Sequence, residues 1–342
     1  MIKCLIDNKM LEKFDLDKMY KIYDIWPQIA REQYEREVNV MDCGKISHVV
    51  FAGMGGSGAI GDMFASILSK TKIHVNVVKG YLLPQTVDSD TLVVVVSVSG
   101  NTTETLSVLK SAHKLKSKII AFSSGGKIQE YCIENKIEHR VIPLYHSPRA
   151  SFTSFLYTIL KVLNSTLEIK KSDILESITE LEKLGKKINS KNLTKENPAI
   201  ELAEWIEGIP VIYYPFGLQS AAIRFKNSLQ ENSKMHVMTE DVIEVCHNGI
   251  VAWEKPSNVK PILIQGTDDY EKTKERWEIL SEYFKLNSIE CKKIKSVQGA
   301  ILTKLINLIY FLDYTSIYKA IMVEIDPTPV KSIDYVKQKT SQ

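Results

Sequence analysis

No CxxC pair occurs in the 342 residues, and the five cysteines (Cys4, Cys43, Cys132, Cys246 and Cys291) are scattered and odd in number. That pattern argues against a zinc ribbon, a dithiol motif or a disulfide framework, and it fits reduced thiols in the cytoplasm. Long apolar runs are missing too. The opening stretch MIKCLIDNKMLEKFDLDK is broken by charges throughout, so neither a membrane span nor a secretory leader is expected. Nor is there a strong excess of one charge. The formal net charge is +3, too small at this length to imply a nucleic-acid or membrane partner. The densest lysine cluster, at 183–195, follows Glu176, Glu180 and Glu182 on one expected helix, the mixture of a solvated face. What is present, 44% hydrophobic and 25% charged residues without low-complexity tracts, is a soluble globular composition long enough for about two domains.

Over residues 16–38, Tyr20, Tyr23, Trp26, Ile29 and Tyr34 recur among charges, which predicts a long amphipathic helix kinked or restarted at Pro27. Strands and helices then alternate. Apolar runs at 47–52, 73–78, 92–96, 118–122 and 138–142 predict five strands, with helices at 60–68, 103–115 and 127–135 among them. Two consecutive helices, 151–167 and 174–188, lead to a polar joint at 190–198. Beyond it, strands at 211–214, 261–265 and 289–294 alternate with helices at 221–229, 270–284 and 300–321. The pattern predicts an α/β fold of two units, each a parallel sheet flanked by helices, over 41–190 and 191–342 behind an N-terminal helical segment, 1–40.

In such sheets ligands bind beyond the carboxyl ends of the strands, and three strand-end loops here share one character. After 92–96 come Ser97, Ser99, Gly100, Asn101 and Thr102, opening onto a helix. Hydroxyls and free N–H groups at a helix N-terminus suit a phosphate, whereas an ordinary N-cap needs only one of these residues. The other two loops are Gly53-Met54-Gly55-Gly56-Ser57-Gly58 and Ser123-Ser124-Gly125-Gly126. Gly53, Gly55 and Gly58 satisfy G-x-G-x-x-G, but a dinucleotide site also wants an acidic residue about twenty positions on. That region reads Val77-Val78-Lys79-Gly80, so a nicotinamide cofactor is not expected. Arg149 follows the fifth strand and is a candidate to balance a phosphate's charge. The second half adds Glu231 within Gln230-Glu231-Asn232-Ser233-Lys234, and His247 within Cys246-His247-Asn248-Gly249, a carboxylate and an imidazole of the kind used in proton transfer.

Taken together, GMGGSGAIGD, SVSGNTTETL, SSGG, PRASF, QENSK, CHNGIVAW and DPTPVKSIDYVK occur in an order that resembles the bifunctional phosphoglucose/phosphomannose isomerases of the sugar isomerase (SIS) class. The resemblance covers nearly the whole chain. It implies reversible aldose-ketose isomerisation of glucose 6-phosphate and mannose 6-phosphate with fructose 6-phosphate, through an enediol. Gly56, Ser57, Ser97, Ser99, Thr102 and Arg149 would bind substrate, Glu231 would be the base, His247 would open the ring, and Lys337 would approach from the tail, with Lys331 competing for that role. Thr328 is a further candidate, for shaping the pocket at C2. The resemblance also implies a homodimer with its site at the interface, and neither metal nor cofactor. Two positions depart from the family pattern: Gln230 stands where Asn is expected, and Gly249 where a carboxylate often follows His-Asn. The competing reading is a non-catalytic sugar-phosphate-binding protein.

Overall fold

The computed structural model describes residues 6–340, so Cys4 lies outside the described residues; Cys43, Cys132, Cys246 and Cys291 are free thiols. The N-terminal segment forms three helices, α1 (Asn8–Phe14), α2 (Met19–Asp24) and α3 (Trp26–Glu35), so the helix expected over 16–38 is restarted at Pro27, and α1, which its periodicity does not mark, precedes it. Two local causes account for this. Lys18 is left-handed, with φ 57°, and the buried Asp15 carboxylate accepts from the amides of Met19 and Tyr20 at 2.9 and 2.8 Å. Further on, Pro27 has no N–H to continue the helical ladder to the Tyr23 carbonyl, which accepts instead from the Tyr310 hydroxyl at 2.8 Å.

The first sheet contains β1 (His48–Ala52), β2 (His74–Val78), β3 (Leu92–Ser97), β4 (Lys118–Ser123) and β5 (Glu138–Val141), all parallel in the order β2-β1-β3-β4-β5. Helices α4 (Gly55–Leu68), α5 (Thr103–Lys114) and α6 (Gly126–Glu134) connect its strands, and α7 (Phe152–Leu163), α8 (Lys171–Ile188) and α9 (Pro198–Trp205) lead out of it. The second sheet contains β6 (Ile209–Tyr214), β7 (Met238–Asp241), β8 (Val259–Gln265) and β9 (Lys292–Lys295), parallel in the order β7-β6-β8-β9. With it go α10 (Gln219–Ser233), α11 (Val242–Val245), α12 (Glu271–Leu286), α13 (Ile301–Met322) and α14 (Lys331–Thr340).

Strand β3 shows why both sheets are covered on two faces. Its Val93 and Val95 pack with Val108, Leu109 and Ile128 of α5 and α6, while Leu92, Val94 and Val96 join a core shared with the second sheet. A continuous β-branched run is what such a strand requires. Ile212, Ile262 and Ile264 enter that shared core from the other side, and Val211, Tyr213 and Leu263 pack outward with Trp277, Leu280 and Phe284 of α12. Helix α13 lies in the middle and is buried nearly all round, as its apolar circumference dictates. No helix among the described residues is long and apolar enough to cross a membrane.

One charge in this interior is tied down by four hydrogen bonds from three residues. Asp313 of α13, fully buried, accepts from Arg224 Nε at 3.0 Å and Nη2 at 2.6 Å, from Ser228 Oγ at 2.6 Å and from Tyr23 Oη at 3.3 Å. Arg224, equally buried, has donors left over, and Nη2 also reaches the Arg149 carbonyl at 2.8 Å. The pair therefore fixes the backbone of the loop that enters the site.

Candidate active site

The three hydroxyl- and glycine-rich loops meet at the carboxyl edge of the first sheet. Ser57, in the first turn of α4, accepts from the amide of Val98 at 3.3 Å, which joins the loop after β1 to the loop after β3. Ser97 Oγ lies 3.0 Å from Thr102 Oγ1 and accepts from the Gly100 amide at 3.2 Å. Ser99 Oγ accepts from the Asn101 amide at 3.3 Å. Gly100 is left-handed (φ 69°), and a Cβ there would lie 1.7 Å from the Gly125 carbonyl oxygen, so only glycine lets the loops after β3 and β4 touch. The Ser124 amide bonds Val98 O at 3.1 Å and the Ile128 amide bonds Gly100 O at 2.9 Å.

None of these hydroxyls works as a helix cap. The N-cap residues of α4 and α5, Met54 and Thr102, make no side-chain capping bond. Two helices of 14 and 12 residues thus begin at one edge, beside hydroxyls, without a side-chain acceptor at their caps. That arrangement suits an anion.

Arg149 leads from this cradle to the carboxylate. Gly56 sits against it, since a Cβ at Gly56 would lie 3.4 Å from the Pro148 carbonyl oxygen and 3.6 Å from Arg149 Cα. The guanidinium is buried. Its Nη1 donates to Glu231 Oε2 at 3.2 Å, its Nε to Asn232 Oδ1 at 2.8 Å, and its Nη2 to the carbonyls of Pro327 and Thr328 at 2.7 and 3.0 Å. Arg149 therefore sits between the carboxylate and the tail, and it bonds none of the loop hydroxyls.

Glu231 is partly exposed, at 27% of its side chain. It lines a cleft of about 830 Å³ with Gly55 from the cradle, Asn227, Gln230 and Lys234 from its own helix, and Pro329–Ile333 from the tail. Asn227, Gln230, Glu231 and Lys234 stand at i, i+3, i+4 and i+7, one stripe of α10. The adjacent stripe, Arg224, Ser228 and Asn232, points into the interior, where Asn232 Nδ2 donates to Ser316 Oγ at 2.8 Å. Partial desolvation in the cleft, with the Arg149 charge nearby, pushes the Lys234 ammonium below the ordinary lysine range, although the residue stays exposed.

Not every expected residue reaches this cleft. His247 lies exposed in the turn after α11, its amide bonded to Glu244 O at 2.9 Å, and it is not part of the lining. Glu240, on β7, stands against Gly249: a Cβ there would lie 2.8 Å from both of its carboxylate oxygens. Of the two tail lysines, Lys331 lines the cleft and Lys337 stands further along α14. Thr328 is at the site's edge, its carbonyl on Arg149 and its buried hydroxyl without a partner. Asn232 and Lys234 belong to a motif that reads as functional, yet their roles depend on the tail and α13, which local spacing does not reveal. Among the described residues no group of three His, Cys, Asp or Glu side chains converges to hold a metal ion. At the end of β2, where a nucleotide site would have an acid, Lys79 pairs with Asp62 at 2.5 Å.

The second sheet has a counterpart of the cradle, and the chain fills it itself. By strand order β8 corresponds to β3, and in the loop that follows it the Gly266 amide donates to Asp269 Oδ2 at 2.9 Å, as does Trp277 Nε1 at 2.9 Å. A Cβ at Gly266 would lie 2.2 Å from Asp269 Oδ1. A carboxylate stands where the first sheet leaves room for an anion.

Two family models match the chain: the SIS domain over residues 44–158, and the bacterial phospho-glucose isomerase C-terminal SIS domain over residues 195–340. The bifunctional phosphoglucose/phosphomannose isomerase of Caldicellulosiruptor bescii is 32% identical over 339 residues, covering 94% of this chain and 98% of the relative. That of Aquifex aeolicus is 29% identical over 333 residues, 95% of this chain and 98% of the relative. Among solved structures, the C-terminal domain of glucosamine-fructose-6-phosphate aminotransferase from Francisella tularensis superposes with a TM-score of 0.67 at 14% identity, covering 93% of this chain and 98% of that one. This last likeness concerns the fold alone.

Proposed function

The chain belongs to the bifunctional phosphoglucose/phosphomannose isomerase family, and we propose that it interconverts glucose 6-phosphate and mannose 6-phosphate with fructose 6-phosphate. The observation that carries the reading is the line from cradle to carboxylate, in which Gly56 backs onto Arg149 and Arg149 bonds Glu231 at 3.2 Å. Gly56, Ser57, Ser97, Ser99 and Thr102 hold the phosphate, and the sugar extends into the cleft toward Glu231. The Glu231 carboxylate takes the proton from C2 of the open-chain aldose, giving an enediol, and returns it to C1, while the hydroxyl proton passes from O2 to O1. Holding the remote phosphate keeps the reacting carbons in register with the base. Arg149 orients the carboxylate and faces the charge that develops on the enediol oxygens. Lys337 belongs to the same machinery through the tail.

His247 opens the sugar ring. Its exposure outside the cleft lining of its own chain supports a second copy supplying it, in a homodimer. Sugar phosphates are the partners; nucleic acid and membrane are not. The free thiols fit a cytoplasmic enzyme.

A non-catalytic sugar-phosphate binder would need the cradle but not the Arg149–Glu231 pair. One coupled assay with the three hexose 6-phosphates decides between them. Glu231→Gln should lower kcat by about 10²–10⁴ while sugar-phosphate affinity by calorimetry stays within a few-fold. Retained turnover in that variant would remove Glu231 from the mechanism, and inert mannose 6-phosphate would remove the dual specificity.

A further inference from the structure

We propose that Lys234 is a latch that holds the C-terminal tail across the cleft, a positioning residue that acts on the reaction through the tail. The proposal rests on the isomerase reading of that cleft.

The latch begins at a helix end. Lys234 caps α10 in the left-handed conformation, φ 57° and ψ 32°, a place where glycine carries the least steric cost. This turn brings the side chain back over its own helix, where Nζ donates to the Glu231 carbonyl at 2.5 Å. Carbonyls in the last turn of a helix have no intrahelical partner, so this bond satisfies one of them, on the very residue whose side chain is the proposed base. The same ammonium donates to the Pro329 carbonyl at 2.7 Å, across 95 residues of sequence.

What it grips is the exposed end of a segment whose start, Pro327, is buried. In Pro327-Thr328-Pro329 two of three residues lack an N–H and the third donates to Asp326 Oδ1 at 2.9 Å, so no regular backbone ladder runs through the segment and side-chain donors take its carbonyls. Arg149 takes the first two and Lys234 the third. Beyond Pro329 the chain lines the cleft through Val330, Lys331, Ser332 and Ile333 and continues as α14, every residue of which is exposed. Burial therefore does not fix α14 in place. Two cations of the site anchor the segment from which it extends.

An ordinary C-cap would give a different result on substitution, and that difference is the test. Lys234→Gly places the preferred residue in the left-handed position, so a residue that only caps should leave melting temperature and turnover unchanged or improved. A latch should keep the melting temperature while the tail comes loose. Chymotrypsin cleavage at Tyr335 in the full-length protein, followed by mass spectrometry, is expected to accelerate several-fold in Lys234→Gly. Its kcat/KM for glucose 6-phosphate should fall about tenfold, chiefly in kcat. Lys234→Arg keeps a cation with several donors and should restore much of both. A Lys234→Gly protein with wild-type turnover, or one that is slow while Tyr335 stays as protected as in the wild type, overturns the proposal. A wild-type chain without turnover would overturn the isomerase reading alone, and faster cleavage of Lys234→Gly would still support the latch.

Discussion

Arg149 touches Glu231 through Nη1 alone, at 3.2 Å to Oε2, and no hydrogen bond reaches Oε1 among the described residues. Its other bonds go to Asn232 and to two tail carbonyls, so the guanidinium is aimed before any substrate arrives. This divides the carboxylate into an oriented oxygen and one left free to accept a proton. Behind Arg149, the Arg224–Asp313 pair holds its carbonyl, so the orientation of the proposed base traces back to a buried ion pair between α10 and α13.

Replacing Arg149 by lysine keeps the charge and loses the planar fork. An ammonium cannot serve Asn232, Glu231 and two carbonyls at those separations. Arg149→Lys should lower kcat/KM for both aldose phosphates by about 10²-fold, because the base is misplaced, and unmade bonds to buried carbonyls should cost about 1–3 kcal/mol of stability. Steady-state kinetics beside urea unfolding checks both. Near wild-type rates would mean that Arg149 does not position Glu231.

Gly100→Ala tests the cradle separately from the base. The new methyl would lie 1.7 Å from the Gly125 carbonyl at a backbone φ of 69°, so the loops after β3 and β4 must separate. The chemical groups at Glu231 are untouched. The expected signature is a KM raised by about tenfold or more with a smaller change in kcat, read for glucose 6-phosphate and checked against inorganic phosphate as a competitive inhibitor. An unchanged KM would remove this loop from phosphate binding.

Much of this arrangement can be read from the chain, because it is written in local pattern. The run at β3 and the Ser/Gly loops that follow each announce themselves within a dozen residues. The polar edge strand β7, MTED, does not, since it has no continuous apolar run to mark it. Helix α14 escapes as well: Ile333, Tyr335 and Val336 are few among its charged and polar residues, and none of them is buried to anchor it. The tail contacts of Arg149 and Lys234 are hidden for another reason. They join residues 95 to 179 positions apart, and nothing in QENSK says which carbonyls those cations will meet.

The filled counterpart on the second sheet gives a pH signature. Burial raises the Asp269 carboxyl above its ordinary 3.8, outweighing the bonds from Trp277 and Gly266. The folded state then holds the proton more tightly than the unfolded state does, so this group's contribution to stability is greatest below pH 3.8 and is lost as pH rises through the folded value. Asn at this position cannot titrate. The unfolding free energy of wild type minus that of Asp269→Asn should therefore decline from pH 3.8 upward and level off above the folded value, as followed by urea unfolding. A difference that is flat with pH, or that grows, would contradict the burial of this carboxyl.

The last prediction concerns the distance between the two proposed proton-transfer groups. Glu231 lines the cleft of its own chain, and His247 stands exposed outside that lining. If each site takes its imidazole from a second copy, Glu231→Gln and His247→Ala homodimers are both inactive, but a mixed dimer keeps one complete site. That site pairs Glu231 of the His247→Ala chain with His247 of the Glu231→Gln chain. Random exchange of equal amounts makes half the dimers mixed, with one working site of two, so the mixture should recover about a quarter of wild-type activity. Co-refolding the two inactive variants and assaying fructose 6-phosphate formation measures it directly. If activity stays at the level of the separate variants while mixed dimers are present by mass spectrometry, His247 works within its own chain or not at all.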